Sequence, residues 1–185
     1  MRVGLFGGSF DPAHAGHRHV ADVALRALKL DRVWWLVTPQ NPLKPKSTPL
    51  TQRMTSAREV ARGGRHVVTD IESRIGVRYS VDTIAALRRR YRGVHFVWIV
   101  GGDVLSEMHR WRRWRAIFRA LPIAVVAREQ ISARGLHAPA FARFAQARLP
   151  THRASKLAEV PPPAWVFLPG RLNPLSSTLL RRRRG

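Results

Sequence analysis

"GGSFDPAHAGH", Gly7 to His17, is the stretch on which the reading of this chain turns. It follows a short apolar run, "RVGLF" (2–6), and precedes an amphipathic segment, "VADVALRALKL" (20–30). Strand, glycine-rich turn, helix is the order found at the phosphate-binding corner of a doubly wound α/β sheet. There the unsatisfied N–H groups and the positive dipole end of a helix meet the carboxyl edge of the sheet. The turn is neither G-x-G-x-x-G nor G-x-x-x-x-G-K-[ST], and it contains no lysine. Its cationic partners must therefore be His14 and His17, three apart and so on one face of a helix start. Gly7 and Gly8 are expected to turn the backbone tightly and admit a ligand, Asp11-Pro12 to fix the turn, and Gly16 to leave space beside the backbone. A zinc-type site would need a third ligand from a chain without cysteine, so no metal ligands are assigned.

Outward from this corner, further apolar runs read as strands: 33–37, 66–69, 95–100, 123–127 and 165–168. They are continuous rather than alternating, as strands buried on both faces are. Helical patterns fill 17–29, 50–62 and 81–91. Strand, helix, strand at this spacing predicts right-handed crossovers and a parallel sheet. The expectation is an α/β, doubly wound, Rossmann-like domain spanning 1–185, with ligands at the carboxyl ends of its strands. Residues 130–163 and the last few residues carry no clear pattern, and "RRRRG" reads as a frayed helix end or tail.

The chain has 185 residues, 45% of them hydrophobic, enough for a substantial core in one domain. Without cysteine there are no disulfides, thiolate metal sites or cysteine nucleophile. No apolar run approaches a membrane span, and the N-terminus is too short for a signal-peptide apolar region, so a cytoplasmic protein is expected. Charge is extreme: 33 Lys and Arg against 11 Asp and Glu, formally +22, with only Lys29, Lys44, Lys46 and Lys156 among the lysines. Such a surface attracts polyanions, and nucleotides and nucleic acid both qualify.

Other segments carry chemistry. "SSTLLR" (176–181) opens with small hydroxyl residues; Ser176 suits an N-cap, and Arg181 lies about one turn on. In "GGDVLSEMHRWRRW" (101–114), Asp103 stands at the carboxyl end of an expected strand, where ribose hydroxyls or a metal-bound nucleotide would lie. Trp111 and Trp114 are three apart and would share a helix face, with Trp114 read as core. "ESRIGVRYSVDTI" (72–84) leads into a helix that Asp82 and Thr83 are placed to cap, and "TPQNPLKP" (38–45) is a proline-rich loop bearing Lys44.

These residues resemble a known family. "GGSFDPAHAGH" is similar to the signature G-[GT]-[ST]-F-D-P-x-H-x-G-H of the nucleotidylyltransferase superfamily. With histidine at position 14 it resembles bacterial nicotinate-nucleotide adenylyltransferases rather than the phosphopantetheine branch, which usually has threonine there. "SSTLLR" resembles S-S-T-x-[IL]-R, and 72–84 resembles E-x-x-R-x-G-x-S-Y-T-x-D-T, with Arg78 in place of a serine and Ser80 in place of a threonine. The matches span the chain from residue 4 to residue 181.

The resemblance implies transfer of the adenylyl group of ATP to nicotinate mononucleotide, giving deamido-NAD and pyrophosphate. His14 and His17 would be catalytic. Gly7, Gly8, Ser9, Phe10, Asp103, Ser176, Ser177, Thr178 and Arg181 would bind ATP. Lys44, Tyr79, Ser80, Val81, Asp82, Thr83 and Trp111 would bind the mononucleotide, Trp111 by stacking on the pyridine ring. Mg²⁺ would arrive on the ATP phosphates. The alternatives are a sibling enzyme using nicotinamide mononucleotide or phosphopantetheine, or a basic nucleic-acid-binding protein. Neither a specific nucleic acid nor a membrane is expected as partner, and monomer and dimer are both open.

Overall fold

The computed structural model describes residues 1–40, 47–127 and 138–169. Its centre is a seven-stranded sheet: β1 (Arg2–Gly8), β2 (Arg32–Val37), β3 (His66–Thr69), β4 (His95–Gly101), β5 (Ile123–Val126), β6 (Arg148–Leu149) and β7 (Trp165–Leu168). The spatial order is β3-β2-β1-β4-β5-β7-β6, and every described pairing is parallel. The expected doubly wound sheet is observed. Strand order runs one way from β1 to β3 and the other way from β4 outward, so the reversal lies between β1 and β4.

The continuous apolar runs are explained by cover on both faces. Val33, Trp35, Val37, Val97, Ile99 and Val126 pack on one side, in a cluster with residues of α1 (Ala15–Ala27), α2 (Leu50–Val60) and the 3₁₀ turns of Thr151–Glu159. Leu5, Leu36, Phe96, Trp98, Val100 and Val125 pack on the other. Their partners there come from α4 (Ser80–Arg90), α5 (Trp114–Ala120) and the short helix Pro139–Arg143. A further short helix, α3 (Ile71–Arg74), follows β3.

Of the patternless stretch 130–163, residues 130–137 lie outside the described residues, and 138–163 acquire definition from contacts distant in sequence. β6 is two residues long, too short for any periodic signal, and exists because β7 supplies its ladder partners. The spacing of Trp111 and Trp114 is compatible with one helix face, but the two do not share a helix. Trp111 ends a 3₁₀ turn (Met108–Arg110) in extended conformation, and Arg113, at φ 51°, breaks the chain before α5 begins at Trp114. Among the described residues no helix is long and apolar enough to cross a membrane.

Candidate active site at the reversal of strand order

α1 begins at the carboxyl end of β1, and both histidines of the opening stretch cap it. His14 is the N-cap, in extended conformation; its Nδ1 accepts from the Gly16 N–H at 3.1 Å. His17, at the third helical position, accepts on Nδ1 from the His14 N–H at 3.2 Å. This is a capping box in which two imidazoles replace the usual hydroxyl and carboxylate. It also sets the protons. A neutral imidazole that accepts on Nδ1 carries its hydrogen on Nε2, so the hydrogen bonds assign an Nε2–H donor to each ring. The rings are stacked obliquely, with centroids 3.9 Å apart and an interplanar angle of 43°. His14 is buried and His17 half-buried, the latter against the Phe10 ring at 5.0 Å. Two donors are thereby held side by side at a helix N-terminus.

The expectation for Gly7 and Gly8 needs correcting. Neither has positive φ; both belong to β1. They are required by what lies against them. A Cβ on Gly7 would meet the Trp98 ring at 3.3 Å, and one on Gly8 the Phe10 ring at 3.1 Å. The left-handed residue is Phe10 itself, at φ 47° and 1% exposed. Its side chain is core, packed on Phe6 and Trp35, so any contact of Phe10 with a nucleotide would be made by its backbone. Ser9 lies between, half-buried.

This turn is held by Asp11, which the sequence marks together with Pro12, and by Arg53, which sequence reasoning missed. Asp11 accepts from the Thr48 N–H at 3.2 Å and from Thr48 Oγ1 at 2.6 Å, tying the β1 turn to the start of α2. Arg53, 2% exposed, donates from Nε to the Thr48 carbonyl at 2.8 Å and from one terminal nitrogen to Ser9 and Thr38 carbonyls at 2.9 and 2.7 Å. Its other terminal nitrogen donates to the Pro39 carbonyl at 2.7 Å. Burial lowers the Arg53 pKa, against a smaller opposing pull from Asp11. The available signal was an arginine inside the apolar stripe Arg53, Met54, Ala57 of α2.

On the other side of the reversal, Asp103 follows β4 directly, exposed, within the 3₁₀ turn Gly102–Ser106. Trp111 and Trp114 are both half-buried against the same cluster; Trp114 meets Phe118 and Phe144, each at 6.1 Å. The Trp111 segment and the start of α4 are brought together: the Arg112 guanidinium lies 4.6 Å above the Tyr79 ring, and Arg78 lies 6.0 Å from it. Tyr79 is the N-cap of α4 and makes no side-chain cap hydrogen bond, so its own side chain does not close off the first-turn amides, Ser80 and Val81 among them.

The capping expected of Asp82 and Thr83 is replaced for Thr83 by another role. Thr83 is fully buried, and its Oγ1 lies 2.8 Å from Glu72 Oε1 and 3.2 Å from the Tyr79 carbonyl. The Thr83 hydroxyl donates to Glu72 Oε1, with the Tyr79 carbonyl as its second, longer acceptor. Burial, only partly offset by Thr83, raises the Glu72 pKa to about 7. Asp82 is half-buried in the first turn of α4.

Lys44, Ser176, Ser177, Thr178 and Arg181 lie outside the described residues. Among the described residues no three His, Asp or Glu side chains group as a metal site.

Comparison with known proteins agrees with this architecture. The family model for cytidylyltransferase-like proteins matches residues 5–183. A protein of a Caulobacter species, named a probable nicotinate-nucleotide adenylyltransferase, is 54% identical over 185 residues, covering 99% of this chain and 98% of its own. A protein of the same name from Methylorubrum extorquens is 51% identical over 185 residues, covering 99% of this chain and 100% of its own. Among solved structures, the nicotinic acid mononucleotide adenylyltransferase of Plasmodium falciparum complexed with NaAD is similar, with a TM-score of 0.74. The match covers 98% of this chain and 82% of that one; at 15% identity the likeness speaks for the fold alone.

Proposed function

Because this chain belongs to the cytidylyltransferase-like family and, within it, to the nicotinate-nucleotide adenylyltransferases, we propose that it joins ATP to nicotinate mononucleotide, releasing pyrophosphate and deamido-NAD. One observation carries the reading. Two imidazoles with assigned Nε2–H donors cap the helix that leaves β1, at the point where strand order reverses. That is an anion site by backbone dipole and by side chain together.

The chemistry needs little else. The mononucleotide phosphate is already an anion at neutral pH and attacks the α-phosphorus without a general base; the oxygen bridging to the β-phosphate leaves with pyrophosphate. Catalysis is then positioning plus charge neutralisation. His14 and His17 would donate to the α- and β-phosphate oxygens, and the turn Gly7–Phe10 would face them with its backbone. Asp103, exposed at the end of β4, would accept from ribose hydroxyls. Ser176, Ser177, Thr178 and Arg181 are assigned to the triphosphate, and Lys44 to the mononucleotide phosphate. Mg²⁺ would enter as a partner of the ATP phosphates and supply further neutralisation there. For the pyridine carboxylate, the first-turn amides of α4 at Ser80 and Val81 are the assigned receivers, beside Asp82, with the half-buried face of Trp111 stacking on the ring. Thr83, being fully buried, would act through the helix rather than by contact. The cytoplasm is the expected setting.

The test compares pyrophosphate release from ATP and Mg²⁺ with nicotinate mononucleotide against release with its amide. The acid should be preferred by about a hundredfold in kcat/KM, since the amide group sets its own N–H against the α4 amides. Equal use of both would remove the α4 pocket assignment. Release with neither would remove the reaction.

A further inference from the structure

Arg53 is used by none of the chemistry above, yet it is 2% exposed and held by four hydrogen bonds. A guanidinium offers five N–H donors in a fixed plane. Four of them are engaged, all by main-chain carbonyls: Thr48, Ser9, Thr38 and Pro39. Those carbonyls belong to three separate stretches, namely the turn after β1, the exit of β2 and the start of α2. The same stretches are cross-tied by the Thr38 N–H donating to the Gly8 carbonyl at 3.0 Å and by the two Asp11–Thr48 hydrogen bonds. The Asp11 carboxylate acts on Arg53 through its charge, while the four hydrogen bonds of the guanidinium go to carbonyls. Burying a cation this deeply is costly even beside a carboxylate, and here its hydrogen bonds fix the geometry of three main-chain stretches.

We propose that Arg53 is a positioning residue for adenylyl transfer: it holds the β1 turn, read as the phosphate-facing turn, in fixed register with the β2 exit and the start of α2. This rests on reading the β1 turn as the nucleotide phosphate site. Two polyanionic groups must meet in line, and a displacement of about 1 Å in the turn that holds one of them can cost about a hundredfold in rate without abolishing binding. A lysine keeps the charge but presents its donors from one point, and so cannot hold carbonyls in three directions.

The experiment uses Arg53→Lys in the full chain, with folding followed by circular dichroism and activity by pyrophosphate release. The expected result is a kcat about tenfold lower or less, with KM for ATP and for nicotinate mononucleotide each within about threefold of the parent. A purely structural residue would lower the unfolding temperature and leave kcat per folded molecule unchanged, and that result overturns the proposal. Should Arg53→Lys not fold, Thr48→Val removes only the hydroxyl tie to Asp11; a fall in kcat of about threefold supports the proposal, and an unchanged kcat overturns it. Amide hydrogen exchange supplies a readout independent of turnover. Faster exchange in the β1 turn and the β2 exit together supports the clamp, and change confined to α2 overturns it. If the unaltered chain turns over no substrate, the adenylyl-transfer reading fails, and exchange alone decides the role of Arg53.

Discussion

Two imidazoles occupy positions that hydroxyl and carboxylate side chains usually hold at a helix start, and this choice separates capping from donation. The Nδ1 atoms of His14 and His17 serve the helix, which leaves Nε2–H as the donor edge of each ring. Glutamine at the third helical position can take over the capping half of this task. His17→Gln is therefore expected to keep the unfolding temperature within about 2 °C. It should nevertheless lower kcat about a hundredfold, because the remaining amide N–H is displaced from the ring's Nε2 position and the preorganised donor is lost. His17→Ala loses the cap as well, and about 0.5–1 kcal/mol of stability with it. Equal rates for His17→Gln and the parent would separate the histidine from catalysis. At this scale the histidine pair was legible in the sequence because spacing alone brings i and i+3 together. Gly7 and Gly8 were legible as special but not for the right reason: what they accommodate, the rings of Trp98 and Phe10, comes from another strand and from the turn itself. Arg53 was passed over because a charged residue in a helix reads as solvent-facing until its acceptors, from three segments, are known.

Among elements, two buried titratable contacts make the packing depend on pH in opposite senses. Glu72 joins α3 to α4 through Thr83, and its pKa is raised from an ordinary 4.5 to about 7. The protonated fold is favoured, so this stabilisation is complete below about pH 4.5 and is lost as pH rises through 7. Glu72→Gln should thus match the parent near pH 4.5 and exceed it at pH 8 by up to about 3 kcal/mol, at about 1.4 kcal/mol per pH unit. Urea unfolding at the two pH values measures this, and a parent more stable than the variant at pH 8 would contradict it. His66 on β3 behaves inversely. Its Nδ1 accepts from Trp35 Nε1 at 3.2 Å and its Nε2–H faces Asp22 of α1 at 3.0 Å, an arrangement for the neutral ring. Burial first, and the Arg18 charge second, lower its pKa below 6.5, against Asp22. Stability from this contact is present above pH 6.5 and is lost as pH falls below it. Thermal unfolding of the parent should therefore weaken more steeply toward about pH 5 than that of His66→Gln, which can hold the same two partners. Parallel slopes would contradict the assignment. Strands and long helices were legible because their apolar runs are local signals, whereas β6, α5 and the break at Arg113 depend on tertiary partners.

Over the whole molecule, the sheet reversal and the formal charge of +22 make separate statements about anions. Many exposed arginines have local reasons: Arg88, Arg89 and Arg90 lie in the last turn of α4, where cations offset the helix dipole. Binding to duplex DNA is accordingly expected to be weak and to vanish by about 0.15 M salt, while turnover of ATP and mononucleotide persists. Tight, sequence-selective binding at that salt would favour a nucleic-acid role instead. The doubly wound class was legible from strand–helix alternation, and the corner at Gly7–His17 from its place after the first strand. The pairing of that corner with Asp103 across the reversal required the strand order, which no local pattern encodes. The account stands most directly on the fate of one phosphorus atom. With ATP labelled at the α-phosphorus, nicotinate mononucleotide and Mg²⁺, the label should pass into a dinucleotide and leave pyrophosphate unlabelled. Label that stays in ATP, or appears as AMP, would contradict adenylyl transfer at this site.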